Sequence, residues 1–213
     1  MNTKKASPPY QMIIDHYETC LENHGDNNLG VDWPDKRDAA TRYRVMLDIV
    51  KGSDNETIID FGCGAGHLLE YIQSHNIKNI DYIGLDISLK FIALCRNKWP
   101  HHNFIQEDVL KNSDTIPEAD YIIMNGVFTE KRILPNKYMF LYMQRVIKLM
   151  WSKARKGLAV NVMSTNVDWQ RKDLFHLSKR DFSKFLRAEI SPSFLFREDY
   201  GLYEYTAYVH RDA

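Results

Sequence analysis

The segment Thr57-Ile58-Ile59-Asp60-Phe61-Gly62-Cys63-Gly64-Ala65-Gly66 is the most informative part of the chain. A short apolar run of strand length ends in three alternating glycines, and Leu68, Leu69 and Ile72 then recur at helical spacing. Glycines at such a turn let the backbone bend and approach a ligand closely. The segment therefore predicts a strand, a ligand-binding turn and a helix. An ordinary tight turn between strand and helix is the alternative.

The same alternation of apolar runs and helical patterns continues on both sides of this segment. Further strands are expected near 82–85, 104–105, 121–124, 158–163, 193–196 and 203–209, and helices near 11–24, 38–50, 89–99, 136–156 and 178–186, with Gly52 and Gly157 ending two of them. Strands that alternate with helices predict an α/β fold with a doubly wound, Rossmann-like parallel sheet. The last two strands have no helix between them, so we expect an antiparallel hairpin there.

The spacing of the glycines favours some nucleotide ligands over others. The pattern is Gly-x-Gly-x-Gly, and the third glycine of the dinucleotide-binding pattern is replaced by His67. Asp60 stands directly before the loop, where a carboxylate would repel a pyrophosphate but could pair with a cationic amino group. Both features argue against a nicotinamide or flavin cofactor.

Two more carboxylates end the next two predicted strands. Asp86 comes twenty residues after Gly66, where it could accept hydrogen bonds from both hydroxyls of a ribose. Asp108 could accept from the exocyclic amine of an adenine, with the backbone N–H of Val109 beside it. The alternatives are a turn in which Ser88 begins the next helix, and a polar loop residue at position 108.

Together, residues 57–68, 82–88, 103–109 and 119–128 resemble the successive motifs of class I S-adenosylmethionine-dependent methyltransferases of the small-molecule type. The resemblance covers about residues 38–209 and implies a seven-stranded sheet with an antiparallel last strand. It also implies cofactor-binding roles for a set of residues. That set is Asp60, Gly62, Cys63, Gly64, Ala65 and Gly66 for the methionine part, Asp86 and Ile87 for the ribose, Asp108 and Val109 for the adenine, and Asn125 and Gly126 beside the transferred methyl group.

Asn125 lacks the prolines that follow the equivalent residue in amino-methylating enzymes of nucleic acids. This departure argues against methylation of DNA or RNA bases. We instead expect Asn125 to be one of two catalytic candidates. The other is His176, whose reference pKa near neutrality suits a general base, although an isolated histidine is more often a surface residue.

The segment before the predicted fold is expected to form a separate cap or lid. Residues 1–37 would be this N-terminal tail and helical cap, and residues 38–213 the methyltransferase domain. In the resembling enzymes such helices cover the cofactor, which implies that Arg42 pairs with the cofactor carboxylate and that Trp33 forms a wall beside the sulfonium. Alternatively, Trp33 anchors the segment and Arg42 is a solvated helix residue.

Composition narrows the choice of partner and compartment. The 213 residues include 28 lysines and arginines against 28 aspartates and glutamates, so the formal charge is zero and the basic excess of a nucleic-acid binder is missing. The three cysteines are scattered, no His, Asp or Glu set has metal-ligand spacing, and no apolar run is long enough for a signal peptide or membrane span. We therefore expect no metal, no nucleic acid, no membrane and a cytoplasmic location.

These observations predict an enzyme that transfers a methyl group from S-adenosylmethionine to an oxygen or nitrogen atom of a small molecule, such as a sugar or a secondary-metabolite intermediate. Two alternatives remain open. One is a protein or carboxylate methyltransferase of the same fold, and the other is a non-catalytic module that only binds the cofactor. The sequence leaves the oligomeric state undecided.

Overall fold

The computed structural model describes residues 7–51 and 55–211. Its helices are α1 (Gln11–His24), a 3₁₀ turn (Leu29–Val31), α2 (Lys36–Leu47), α3 (His67–Ser74), α4 (Leu89–Lys98), α5 (Asn136–Lys153) and α6 (Lys179–Glu189). Its strands are β1 (Glu56–Phe61), β2 (Ile80–Asp86), β3 (Asn103–Gln106), β4 (Ala119–Met124), β5 (Ala154–Ser164), β6 (His176–Leu177), β7 (Phe194–Arg197) and β8 (Glu204–His210).

One mixed sheet carries the whole fold, in the order β3-β2-β1-β4-β5-β8-β7. Strands β1 to β5 pair in parallel, and β1 lies between β2 and β4, so the chain runs outward in opposite directions from β1. The carboxyl ends of β1 and β4 therefore flank a topological switch point, where ligands of open α/β sheets bind.

The final hairpin is antiparallel, as the sequence predicts. Strand β8 lies between β5 and β7 and runs antiparallel to both. The predicted Rossmann-like α/β fold with an antiparallel last strand is thus confirmed.

Two layers of apolar side chains cover the two faces of the sheet. Neighbouring strand residues alternate between them: Ile59 and Ile122 belong to the cluster beneath α5 and α6, whereas Ile58 and Ile123 belong to the cluster beneath α2, α3 and α4. This alternation follows from the two-residue period of a strand. Because both faces are covered, the site has to lie at the sheet's edge, beyond the strand ends.

Helix α1 lies across this edge and is tied to it by polar contacts. The hydroxyl of Tyr10 donates to Asp108 at 2.8 Å, and the hydroxyl of Ser88 donates to Glu18 at 2.6 Å. Tyr10 and Ile13 are buried with the core cluster beneath α5. The segment therefore packs on the sheet, while its separation as a cap ending at residue 37 remains a prediction.

The structure differs from the sequence prediction in two places. Strand β6, only two residues long, is additional to the predicted seven strands and pairs in parallel with the end of β5. Gly157 does not end α5, which stops at Lys153. Gly157 instead lies inside β5, where a Cβ atom would come within 2.5 Å of the Val209 carbonyl oxygen of the neighbouring strand. The predicted helix stop at Gly52 falls outside the described residues. No helix within residues 7–51 and 55–211 is long and apolar enough to cross a membrane.

Candidate functional site

A cavity opens at the switch point, beyond the carboxyl ends of the parallel strands. Its floor consists of the turns that follow β1 to β4, at residues 60–64, 85–88, 107–110 and 125–127. The N-terminal segment forms a wall of the cavity, which includes Tyr10, Tyr17 and Trp33. Four separate turns thus converge on one space because parallel strands all end at the same edge.

The glycine loop needs its glycines for conformation and for space. Gly62 and Gly64 have φ values of 72° and 51°, in the left-handed region that side chains other than glycine rarely adopt. A Cβ atom on Gly62 would come within 2.9 Å of Val127, and one on Gly64 within 3.4 Å of Val31. The loop can therefore sit directly beneath the cavity, and its neighbour Cys63 also lines it.

The last two residues of this loop do not line the cavity. Ala65 is buried, and Gly66 precedes α3 with a left-handed φ of 73°. A Cβ atom on Gly66 would lie 2.5 Å from the ring of Trp99. Gly66 thus lets the start of α3 pack closely against the end of α4, and the cofactor contacts of Ala65 and Gly66 stay predictions.

Asp60 is a buried carboxyl group without a cationic partner in the described part of the chain. It is 3% exposed and accepts a hydrogen bond of 2.7 Å from the hydroxyl of Tyr82. Its pKa is raised to about 7, mainly by burial and to a smaller extent by the nearby carboxylate of Asp86, while the Tyr82 hydrogen bond opposes the shift. A cation placed beside Asp60 would restore its ionised form.

Asp86 shapes the glycine loop while facing the cavity. Its two carboxylate oxygens accept from the backbone N–H of Gly64 at 2.9 Å and of Ser88 at 2.8 Å. Burial raises the pKa of the carboxyl group despite these hydrogen bonds. Each oxygen still has a second lone pair for a ligand. The adjacent Ile87 also lines the cavity.

Asp108 has more partners than the sequence suggests. It accepts from the Tyr10 hydroxyl at 2.8 Å, from the backbone N–H of Leu110 at 3.2 Å, and it pairs with Lys111 at 2.9 Å. It lines the cavity together with the buried Val109. Asp108 therefore anchors α1 as well as offering an acceptor to a ligand.

The turn after β4 completes the cavity. The side-chain oxygen of Asn125 is buried and has no hydrogen-bond partner. Gly126 has a φ of 75°, and a Cβ atom there would lie 3.0 Å from the indole ring of Trp33. Trp33 in turn stacks on Tyr43, with ring centroids 5.6 Å apart. The indole therefore lies directly against the turn that carries Asn125.

Comparison with known proteins shows what the chain is similar to. Residues 59–149 match the family model described as a methyltransferase domain. The Mycobacterium tuberculosis protein Rv1506c, which is provisionally named a methyltransferase, is 26% identical over 167 residues that cover 78% of this chain and 99% of that protein. Residues 59–149 therefore form a methyltransferase domain.

Solved structures with little sequence identity share the fold. Magnesium protoporphyrin IX methyltransferase from Synechocystis PCC 6803, with bound S-adenosylhomocysteine, has a TM-score of 0.65 at 13% identity and covers 95% of this chain and 99% of its own. Human N-acetylserotonin methyltransferase, with S-adenosylmethionine, has a TM-score of 0.64 at 13% identity over 96% of this chain and 58% of its own. The predicted class, an S-adenosylmethionine-dependent methyltransferase, is thereby confirmed.

Arg42 does not line the cavity but lies behind its Trp33 wall. Its Nε donates to Glu204 of β8 at 2.8 Å, and its guanidinium lies 4.9 Å from the centre of the Trp33 ring. Glu204 is 4% exposed and accepts from Asn161, whose side-chain oxygen accepts from the backbone N–H of Gly126 at 2.7 Å. This network supports Trp33 and the 125–126 turn from behind, and the contact between Arg42 and a cofactor carboxylate stays a prediction.

His176 is also away from the cavity. It lies on β6, it is 8% exposed, and its Nδ1 is 2.7 Å from the carbonyl oxygen of Ser164. With Nδ1 as the donor, Nε2 is an acceptor, and it is buried without a partner. The structure therefore does not place His176 where it could take a proton from a molecule in the cavity.

The cavity contains residues that the sequence analysis did not nominate. These are Tyr10 and Ile13 of the N-terminal segment and Tyr142 of α5, whereas Tyr17, which also lines the cavity, is a residue that the sequence allows to face a pocket. Burial raises the pKa of the Tyr17 hydroxyl far above its ordinary value, so this group stays protonated. The helical period predicted α1, but its partner is a sheet edge about 100 residues further along the chain, which no local pattern reports.

Proposed function

We propose that this methyltransferase moves a methyl group from S-adenosylmethionine to an oxygen or nitrogen atom of a small molecule, such as a sugar or a secondary-metabolite intermediate. The observation that carries the proposal is the convergence of a glycine loop, the carboxyl groups of Asp60, Asp86 and Asp108 and an unpartnered amide oxygen on one cavity. The match to a methyltransferase family model supports the class of reaction, and the lining of the cavity supports placing the reaction there.

The chemistry of the cavity fits the cofactor. Asp60 is buried without a cation and would pair with the ammonium group of the methionine part. Asp86 keeps lone pairs for two ribose hydroxyls, and Asp108 and Val109 would meet the adenine. Gly62 and Gly64 would let the methionine part lie against the backbone. The bound cofactor supplies a methyl group that its sulfonium already makes electrophilic.

The chain's own contribution is then mainly positioning and the exclusion of water. Trp33 lies against Gly126 and would cover the sulfonium, where an aromatic face favours a cation. The Arg42–Glu204–Asn161 network would hold this wall in place. Bringing donor and acceptor into line inside a dry cavity accounts for much of the rate in such a transfer. Residues 1–37 would act as the cap that closes the cavity.

Asn125 is the proposed contact for the acceptor. Its buried side-chain oxygen lacks a hydrogen-bond donor, and most buried polar atoms have a partner. A hydroxyl or amine hydrogen of the acceptor would supply that donor and orient the attacking lone pair. No general base is assigned, because His176 lies elsewhere.

The walls favour a small, largely uncharged acceptor. The side facing the carboxyl groups is apolar and aromatic, with Ile13, Tyr17 and Trp33 among its residues, and no described lysine or arginine lines the cavity. A nucleic acid would need cationic groups to meet its phosphates. The two solved relatives named above carry small molecules in their names, which agrees with this size of acceptor. The three free cysteines favour a reducing compartment such as the cytoplasm.

One experiment tests the acceptor class directly. The protein is incubated with methyl-labelled S-adenosylmethionine and a cell extract separated into small molecules, proteins and nucleic acids. We expect label in the small-molecule fraction. Label in protein instead would favour the protein-methylating alternative. Tight cofactor binding without any transfer would favour the non-catalytic module.

A matched pair of variants tests the cofactor site. Asp86→Asn removes a charged acceptor from the ribose, which is worth about 1.5–3 kcal/mol per hydrogen bond, so affinity for S-adenosylhomocysteine should fall about tenfold or more by calorimetry. Asp81→Asn is the control, because Asp81 lies exposed at the opposite end of the same strand. Equal affinity in both folded variants would remove Asp86 from the site.

A further inference from the structure

Three potential metal ligands meet within the N-terminal segment, and none of them lines the cavity. His16 and Cys20 stand one helical turn apart on α1, and Asp32 follows the 3₁₀ turn. Nε2 of His16 lies 2.7 Å from a carboxylate oxygen of Asp32 and 3.8 Å from Sγ of Cys20. All three donor atoms lie within 4.8 Å of one another.

We propose that His16, Cys20 and Asp32 bind a zinc ion. One nitrogen, one sulfur and one oxygen donor form a ligand set that suits borderline-soft Zn²⁺ better than the hard cations Mg²⁺ and Ca²⁺. Zinc bonds of about 2.0–2.3 Å in tetrahedral geometry separate the ligand atoms by about 3.3–3.6 Å. The His16–Asp32 pair would have to open, and the sulfur to approach, by about 1 Å or less.

Charge and access agree with this assignment. Neutral His16, the Cys20 thiolate and the Asp32 carboxylate would together match the two positive charges of the ion, and the thiol proton would pass to solvent. The side chains of His16 and Asp32 are 19% and 37% exposed, so an ion can enter and keep a water molecule as its fourth ligand.

The backbone presents Asp32 to the helix in an uncommon conformation. Asp32 has a φ of 57°, a left-handed value that few residues other than glycine adopt. This conformation turns the chain directly after Val31 and before Trp33, two residues of the cavity wall. An ion bound here would cross-link α1 to the turn that holds that wall.

The ion would therefore stabilise the closed cap without taking part in methyl transfer. In its absence, one hydrogen bond of 2.7 Å joins His16 to Asp32. Three metal–ligand bonds in its place would restrict the opening of the segment from residue 16 to residue 33. The inference does not depend on the identity of the acceptor.

The test measures metal binding on the full chain. Protein without a histidine tag is stripped with a chelator and titrated with zinc against a chromophoric competitor, and cobalt is used in parallel. We expect one zinc per chain, an increase in melting temperature on addition of zinc, and a near-ultraviolet thiolate-to-cobalt absorption band.

Variants separate this site from adventitious binding. Cys20→Ser should remove the cobalt band and weaken zinc binding at least tenfold, and His16→Ala should weaken it similarly. His24→Ala changes an exposed histidine of the same helix and should behave as the unmodified chain. Substoichiometric zinc, or a Cys20→Ser variant that binds zinc as tightly as the unmodified chain, would overturn the proposal. Binding of S-adenosylhomocysteine, measured on the same samples, reports the proposed cofactor site independently.

Discussion

Replacing Asp60 with asparagine should stabilise the ligand-free protein at neutral and alkaline pH. The buried carboxyl group has no cationic partner among the described residues, and its pKa is raised to about 7 by burial. An asparagine would keep an oxygen to accept the hydrogen bond from Tyr82. It would remove the negative charge that burial disfavours.

The expected magnitude follows from the pKa. In the unfolded chain the carboxyl group ionises near its reference value of 3.8, whereas in the folded chain it stays protonated up to about 7. Between these values the folded state binds the extra proton, so stability falls as the pH rises, by about 1.4 kcal/mol per unit. Between pH 5 and pH 7 the unmodified chain should lose about 2 kcal/mol relative to Asp60→Asn, because the slope flattens near the folded pKa, and the difference should level off by about pH 8.

Urea denaturation of the two proteins at pH 5, 6, 7 and 8, without cofactor, measures this difference. Subtracting the two curves removes the contributions of all groups that both proteins share. Asp81→Asn serves again as the exposed control and should follow the unmodified chain. A difference between the unmodified chain and Asp60→Asn that does not change with pH would refute the raised pKa of Asp60.

The same group should make cofactor binding depend on pH. An ammonium ion binds the ionised form of Asp60, so protonation below pH 7 competes with binding. Affinity for S-adenosylhomocysteine should therefore fall as the pH decreases from 8 to 5, by up to tenfold per unit below the pKa. Asp60→Asn should bind weakly at every pH. A stabilised variant with unchanged affinity would mean that Asp60 does not meet the ammonium group.

Two further substitutions probe the wall and the cap. Gly126→Ala should weaken S-adenosylhomocysteine binding, because its Cβ atom would lie only 3.0 Å from Trp33. The control is Gly201→Ala, which has a similar positive φ but no atom within 4 Å of the added Cβ, so it measures the backbone strain of about 1–2 kcal/mol alone. Equal binding by both variants would exclude the contact with Trp33. Tyr10→Phe should lower the free energy of unfolding by about 1.5–3 kcal/mol, since it removes a hydrogen bond to charged Asp108; an unchanged urea midpoint would show that α1 is held by its apolar contacts alone.

The features that could be predicted from the sequence are those that depend on short segments of it. Four of the predicted cofactor residues lie at or just after the carboxyl ends of strands, namely Asp60, Gly62, Asp86 and Asp108. In a parallel sheet these strand ends meet at one edge. Local order along the chain was therefore enough to bring these residues to one cavity. Whether each one binds the cofactor stays a prediction.

The features that could not be predicted depend on partners far away in the chain. Arg42 pairs with Glu204, 162 positions further along the chain, and this contact could not be predicted from the sequence around Arg42. His176 was predicted as a base because of its titration range, but the short strand β6 pairs with β5 and buries His176 away from the cavity. Both outcomes were set by tertiary contacts that no spacing in the sequence encodes.

The position of β8 between β5 and β7 has a consequence for the order in which the protein matures during synthesis. Glu204, at the start of β8, supports Asn161 and, through it, the backbone of Gly126. Residues 59–149 contain the cavity floor, but a nascent chain that has just left the ribosome with these residues lacks that support. The acceptor side of the pocket should therefore become ordered only after the last hairpin has inserted next to β5. An incomplete chain would contain the glycine loop, but its Asn125 would lack a fixed orientation.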